Sequence, residues 1–188
     1  MEEDAGARAV AELIYFLGRQ VYGGSGTGHL TAAQWSVLRY LARANSFSRT
    51  VSGFAHFHAT TRGTASQTVK GLVRQGYLER TRSSLDGRSV RLDLTDRARR
   101  ALRDDPLDDV VRAVGRLSGR DRERLSRGLH RVLDELADTR GDLEFGSCGS
   151  CGHLMRCQGR PPRCEHFGVD VSPTDLGLLC SNFMRRTG

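Results

Sequence analysis

One stretch constrains this chain more than any other: Thr61 to Leu94, TRGTASQTVKGLVRQGYLERTRSSLDGRSVRLDL. Ala65, Val69, Leu72 and Val73 fall at i, i+4, i+7 and i+8, one apolar stripe of a helix facing a core. The opposite face carries Arg62, Thr64, Ser66, Gln67, Lys70 and Arg74, hydrogen-bonding groups and cations in place of the usual Glu/Lys mixture. Gly76 ends the helix, and Tyr77-Leu78-Glu79-Arg80 starts a strand. After a tight hairpin, Val90, Leu92 and Leu94 alternate with Arg91 and Asp93, as a half-buried strand should. Helix, strand, hairpin and strand in this order spell a winged helix-turn-helix.

Charge follows the same stretch. The chain of 188 residues has a formal net charge of +7. Between Thr61 and Arg103 there are eleven Arg/Lys against four Asp/Glu, so the remainder of the chain is close to neutral. A charge run is ordinarily a solvated face, but this one coincides with the helix and hairpin, which points to a phosphate footprint. The first residues, MEEDAG, are acidic and no long apolar run follows, so neither a secretory signal nor a membrane span is expected.

From the start of the chain, Val10, Leu13, Ile14, Leu17 and Val21 make a one-sided helix closed by Gly23-Gly24, assigned to packing or dimerisation. GGSGTGH is a loop, Thr31 caps a second helix with Trp35, Leu38 and Leu41 inward, and a short third helix covers Val51 to Phe57. His56 and His58 lie in or beside that short helix, with no cysteine or carboxylate nearby in sequence, and are expected as surface or DNA-proximal imidazoles. Thr95-Asp96 caps the helix after the hairpin. The apolar pattern resumes at Val110, Val111, Val114 and Leu117, and Ser118 caps a final helix striped with Leu125, Leu129, Val132, Leu133 and Leu136. Such helices most simply pack on a second copy, and twofold pairing gives two DNA half-sites about one helical turn apart.

LTAAQWSVLRYLARA followed by TTRGTASQTVKGLVRQGYLERTRSSLDGRSVRLDLTDRARRAL resembles the MarR family of bacterial transcription regulators, over roughly residues 8–138. The most specific part is Asp86-Gly87-Arg88 with the strand-to-helix junction Leu92-Asp93-Leu94-Thr95. The resemblance implies a mainly α fold with a small β-hairpin wing, a homodimer with first and last helices interleaved, and a cytoplasmic, nucleoid-associated regulator. It also implies that Arg88 is the wing arginine for the minor groove and Asp86 its orienting carboxylate. A guanidinium suits the concentrated negative potential of a narrow groove. In the major groove Arg62 or Gln67 reads a purine edge, while Thr64, Ser66 and Lys70 hold phosphate.

Residues 1–147 contain no cysteine, and then five appear in C-x2-C-x5-C-x6-C-x15-C spacing. The tail is too short and too rich in Gly and Pro to build its own core, so something must staple it. In a reducing cytosol that argues for metal over disulfides. Cys148-x-x-Cys151 is a metal knuckle, and Cys164 and Cys180 complete the expected site. Cys157, between Arg156 and Gln158-Gly159-Arg160, is in a wetter context and is the spare; His153 and His166 are substitute ligands. Two centres compete. Zinc would be structural. An iron–sulfur cluster, towards which the irregular spacing and the Met155, Phe167 and Leu179 surroundings lean, would sense redox state, oxygen or iron. A metal-free thiol switch leaves the tail without a staple.

The sequence thus divides into a dimerisation helix and loop (1–30), a winged helix-turn-helix (31–103), dimerisation helices (104–140) and a cysteine-rich metal-binding tail (141–188). Double-stranded DNA, at a pseudo-palindromic operator, is the expected partner. The centre, just past the last dimerisation helix, is expected to tilt the helices that space the two reading heads. A MarR-type regulator answering to a small molecule, with zinc only bracing the tail, is the alternative. No Ser/His/Asp arrangement, nucleotide loop or paired carboxylates in an apolar setting suggest an enzyme.

Overall fold

The computed structural model of the chain describes residues 2–23, 30–82, 90–140 and 145–186. Among the described residues seven α-helices come first to last as α1 (Glu2–Gly23), α2 (Ala32–Arg43), α3 (Val51–Phe57), α4 (Arg62–Arg74), α5 (Asp96–Ala101), α6 (Leu107–Gly115) and α7 (Gly119–Arg140). Between α4 and α5, strands β1 (Leu78–Arg82) and β2 (Val90–Leu94) pair antiparallel, Leu78 opposite Leu94 and Arg82 opposite Val90. No helix among the described residues is long and apolar enough to cross a membrane.

Threonine starts four of these helices for one physical reason: its hydroxyl accepts an amide N–H that the first turn leaves without a partner. Thr31 does so in a reciprocal box with Gln34, and Thr50, Thr61 and Thr95 accept from Gly53, Thr64 and Ala98. Gly76, at φ 71°, takes the left-handed turn that releases α4 into β1. The stripe read from the sequence is the one buried: Ala65, Val69 and Leu72 join Val37, Leu38, Leu41, Phe54, Leu78, Leu92 and Ala98 in one core.

The outer helices are different. On α1, Val10, Leu13, Ile14, Phe16 and Leu17 are exposed, and so on α7 are Leu125, Leu129, Val132, Leu133 and Leu136. Arg39 on α2 ties this layer to the core, its guanidinium bonded to Asp105 ahead of α6 and to the Val21 carbonyl at 3.3 Å.

The tail folds into very short strands. β3 (Gly146–Ser147) pairs with β7 (Leu179–Cys180), and β4 (Leu154–Met155), β5 (Arg163–Cys164) and β6 (Val169–Asp170) form a three-stranded sheet. Contrary to the sequence expectation, the tail has a core, if a small one: Leu154 and Val171 are buried with Cys148, Cys164 and Cys180, and Phe47 from the body packs on them. Met155 does not shield this core; it is exposed and its neighbour Leu154 is buried, a one-residue shift that reverses faces in a strand.

Candidate nucleic-acid interface and cysteine cluster

Burial of Ala65, Val69 and Leu72 leaves the other face of α4 no choice but solvent. Arg62, Thr64, Gln67 and Lys70 are exposed there and Ser66 is half-buried; α4 contains no acidic residue. The Thr64 hydroxyl lies 2.9 Å from that of Thr61, and the Thr64 amide donates to Thr61 at 3.1 Å, so Thr64 also belongs to the cap. Arg80 and Arg82 on β1 extend the cationic surface towards the hairpin tip. Asp86 and Arg88, the expected wing residues, lie outside the described residues.

Part of the basic excess is spent inside the fold. Arg97 stands 4.4 Å over the Tyr77 ring and donates to the Gln75 carbonyl at 2.6 Å, pinning the end of α4. Arg91 is 2.9 Å from Asp93, which also accepts from the Thr81 hydroxyl at 2.7 Å and faces Arg49 at 3.6 Å. Burial works against the charge of Asp93, but these donors outweigh it and hold the carboxyl below its ordinary range.

His56 and His58 are half-buried beside aromatic rings. His56 meets the Phe145 ring at 5.8 Å, and His58 packs on Phe54 at 4.6 Å and Phe57 at 5.2 Å. Burial pushes the His58 imidazole below its usual value, with a hydrogen bond to the Ser36 carbonyl pulling the other way. His58 also lines a cavity of about 370 Å³ with Val21, Arg39, Tyr40, Phe57 and Leu107, and Leu179 of the tail closes one side.

In the tail, Cys148, Cys151, Cys164 and Cys180 are buried free thiols, and Cys157 is exposed. The 3-10 turn Cys148–Ser150 brings the Cys151 amide to the Cys148 carbonyl at 3.2 Å, forming the knuckle. Strand pairing puts Cys164 opposite Leu154 and Cys180 opposite Gly146. The Asn45 amide NH2 donates to Cys148 Sγ at 3.1 Å, and the influence of Cys148 holds the Cys180 thiol well below its ordinary range although burial works the other way. The Met184 amide donates to Cys151 at 3.5 Å. His153 and His166 stack on each other at 5.1 Å, His166 exposed and beside Asn182 at 3.4 Å. Among the described residues no three or more His, Cys, Asp or Glu side chains are grouped so that they could hold a metal ion.

The position of this cluster departs from expectation. Among the described residues it reaches the outer helices through Arg185, 3.3 Å from Asp134 of α7. It docks on residues 44–50, the turn between α2 and α3. Ala44 bridges Leu179, the Asn45 amide donates to the Leu179 carbonyl at 2.8 Å, and the Ser181 amide donates to Ser48 Oγ at 2.9 Å. The Asp175 carboxylate accepts the Ser46 amide and hydroxyl, each at 3.0 Å. Gly53 is required here, because a Cβ would lie 2.5 Å from the Ser48 carbonyl and 2.6 Å from the Tyr40 hydroxyl. Asn45, Ser46, Ser48 and Asp175 were missed from sequence. Their one signal is the polar run Asn45-Ser46-Phe47-Ser48 between two amphipathic helices, which reads as an ordinary loop.

Comparison with known proteins bears on this geometry. No curated protein sequence matches the chain. Among solved structures, a MarR transcriptional regulator from Methanosarcina mazei Go1 is similar at TM-score 0.56 and 18% identity, over 72% of this chain and 99% of that one. MepR of S. aureus in its DNA complex is similar at TM-score 0.57 and 19% identity, over 69% and 95%. BldR from Sulfolobus solfataricus gives 0.54 and 20%, over 71% and 96%. More than a quarter of this chain therefore has no counterpart in those proteins. The MarR family model matches residues 30–89, and the chain shares the winged-helix fold of MarR regulators.

Proposed function

We propose that this chain is a sequence-specific, duplex-DNA-binding transcriptional regulator that works as a homodimer and carries a metal centre in its tail. The observation that carries the reading is the surface of α4, with Arg62, Thr64, Gln67 and Lys70 held outward by a buried stripe and no acid among them. Such a rigid helix fits the major groove, Arg62 and Gln67 facing base edges and Thr64, Ser66 and Lys70 facing phosphates. Arg88, oriented by Asp86, serves the minor groove. The likeness of the fold to MepR, solved with DNA, supports this use of α4.

The exposed apolar faces of α1 and α7 support the homodimer: ten large side chains in two stripes face water in the single chain. Two copies would present two α4 helices to a pseudo-palindromic site, and occupation of a promoter represses it.

Cys148, Cys151, Cys164 and Cys180 are the ligands of the centre. Burial of these four, exposure of Cys157, and N–H donors on Cys148, Cys151 and Cys180 support thiolate chemistry. Ligation requires their Cβ–Sγ bonds to turn to a common point. An iron–sulfur cluster would sense redox state, oxygen or iron, whereas zinc would hold the tail in place. A second reading rests on the cavity beside His58: a small apolar effector bound there changes DNA affinity, with zinc only bracing the tail.

The test is binding of the full chain to duplexes selected from a random pool, with metal analysis for iron, zinc and acid-labile sulfide. Arg62→Ala and Arg88→Ala are expected to weaken binding, with a steep salt dependence. A monomer indifferent to duplex DNA at low ionic strength would falsify the reading. Iron with sulfide identifies the cluster, and zinc without it identifies the structural ion.

A further inference from the structure

We infer that Arg49, in the turn between α2 and α3, is a positioning residue of the reading head: its guanidinium straps the turn on which the tail docks to the base of the wing, so that docking of the tail sets where the wing stands. The inference rests on the DNA-binding reading above and makes no demand on what the tail's sulfurs hold.

The turn presents two faces to two distant parts of the chain. On one face the tail is seated. Ala44 lies in a parallel bridge with Leu179, and the Asn45 amide donates to the Leu179 carbonyl at 2.8 Å. Asp175 accepts both the amide and the hydroxyl of Ser46 at 3.0 Å, and the Ser172 hydroxyl, also at 3.0 Å, keeps that carboxylate in place. On the other face lies the wing: the Leu92 amide of β2 donates to the Arg49 carbonyl at 2.7 Å.

The Arg49 side chain joins the two faces. Its Nε donates to the Ala44 carbonyl at 3.0 Å, and its Nη1 stands 3.6 Å from Asp93 Oδ1 on β2. Ala44 is the residue that bridges Leu179, so one guanidinium reaches from the seat of the tail to the wing. The other oxygen of Asp93 accepts from Arg91 Nε at 3.0 Å and from the Thr81 hydroxyl of β1 at 2.7 Å. Through Asp93, therefore, both wing strands are tied to Arg49. The Asp93 side chain is 13% exposed and that of Arg49 30%, so water screens this pair less than it does an open surface pair. A planar fork also fixes the angle between its two acceptors, which a flexible ammonium does not. With the tail seated, the Ala44 end of the strap is held and the wing's angle to α4 is narrowly set. With the tail unseated, that end loosens and the wing follows.

Two carboxylates, Asp175 and Asp93, stand at the two ends of this path and make the test a matter of sign. If charge alone governed affinity, removing either acid would tighten binding to a polyanion. The strap predicts the reverse. Asp175→Ala and Asp93→Asn in the full chain should each weaken binding to a selected duplex roughly three- to tenfold, and the double variant should bind no worse than the poorer single. Binding is read at a temperature where far-UV circular dichroism shows every variant fully folded, so lost stability does not account for the change. Arg49→Lys, which keeps the charge and loses the fork, should weaken binding as well; full affinity there makes charge sufficient and removes the strap. Unchanged or tighter binding by Asp175→Ala and Asp93→Asn overturns the inference and leaves the DNA-binding reading in place. Loss in Asp93→Asn without loss in Asp175→Ala also overturns it, because the wing is then held without the tail, as do single losses that multiply in the double variant. A parent chain that binds no duplex removes the DNA-binding reading, and this inference with it.

Discussion

The winged-helix body and the cysteine tail reach order by opposite means. The body buries fourteen apolar residues in one core drawn from α2 to α5, and its wing strands are five residues long. The tail's cluster holds five, three of them cysteines, with Cys151 buried beside it, and among the described residues none of its strands exceeds two residues. Apolar burial contributes roughly 25 cal/mol per Å², so the body stands on its side chains while the tail leans on thiols and on links to residues 44–50. The lesson is that the tail, with only a small core, is joined to the winged-helix body through residues 44–50.

The sharpest way to break this contrast is at the ligands. Cys164→Ser is expected to abolish Co(II) uptake and open residues 146–186 to protease, while the helical circular dichroism of the body persists. Simultaneous loss of both would erase the distinction. Next come paired core truncations. Leu72→Ala should cost the body about 2–5 kcal/mol in urea unfolding. Val171→Ala, equally buried but in the tail, should leave the body's urea midpoint where it is and raise only the tail's protease sensitivity.

Smaller effects sharpen the comparison from the body's side. Arg62→Ala is expected to weaken duplex binding about tenfold and to relax sequence preference at the base it faces, without altering Co(II) uptake. Asp93→Asn should cost about 1 kcal/mol by loosening Arg49, Arg91 and Thr81. Because the Asp93 carboxyl sits below its ordinary range when folded, its contribution is complete above the unfolded value of about 3.9. That contribution is lost as pH falls through the lower folded value. The parent chain should therefore lose an increment of stability in acid that Asp93→Asn lacks, measured by thermal melts across pH 2–6.

The body was legible in the sequence because its order is local. Apolar spacing located α2, α4 and the second wing strand, and threonine caps marked the starts at Thr31 and Thr95; the cap at Thr61 was not read. Spacing singled out Cys148 and Cys151, and surroundings Cys164 and Cys180; these four thiols are buried and Cys157 is exposed. What could not be read was non-local. The Asn45–Cys148 and Ser48–Ser181 bonds join positions 103 and 133 residues apart, beyond any periodic signal. Two-residue strands carry too little alternation to tell Leu154 from Met155. The contact of His56 with Phe145 is likewise non-local, whereas His58 packs on its neighbours Phe54 and Phe57.

The most direct measurement is the affinity of the full chain for a selected duplex, metal-loaded and chelator-stripped, over a series of salt concentrations. Binding that weakens steeply with salt in both states, with stripping shifting the dissociation constant by about tenfold or more, is the expected result, since coupling of about 1–3 kcal/mol is typical of such linkage. Superimposable curves for the two states would contradict the coupling of tail to head, and no binding at low salt would contradict the assignment of α4 as the reading helix.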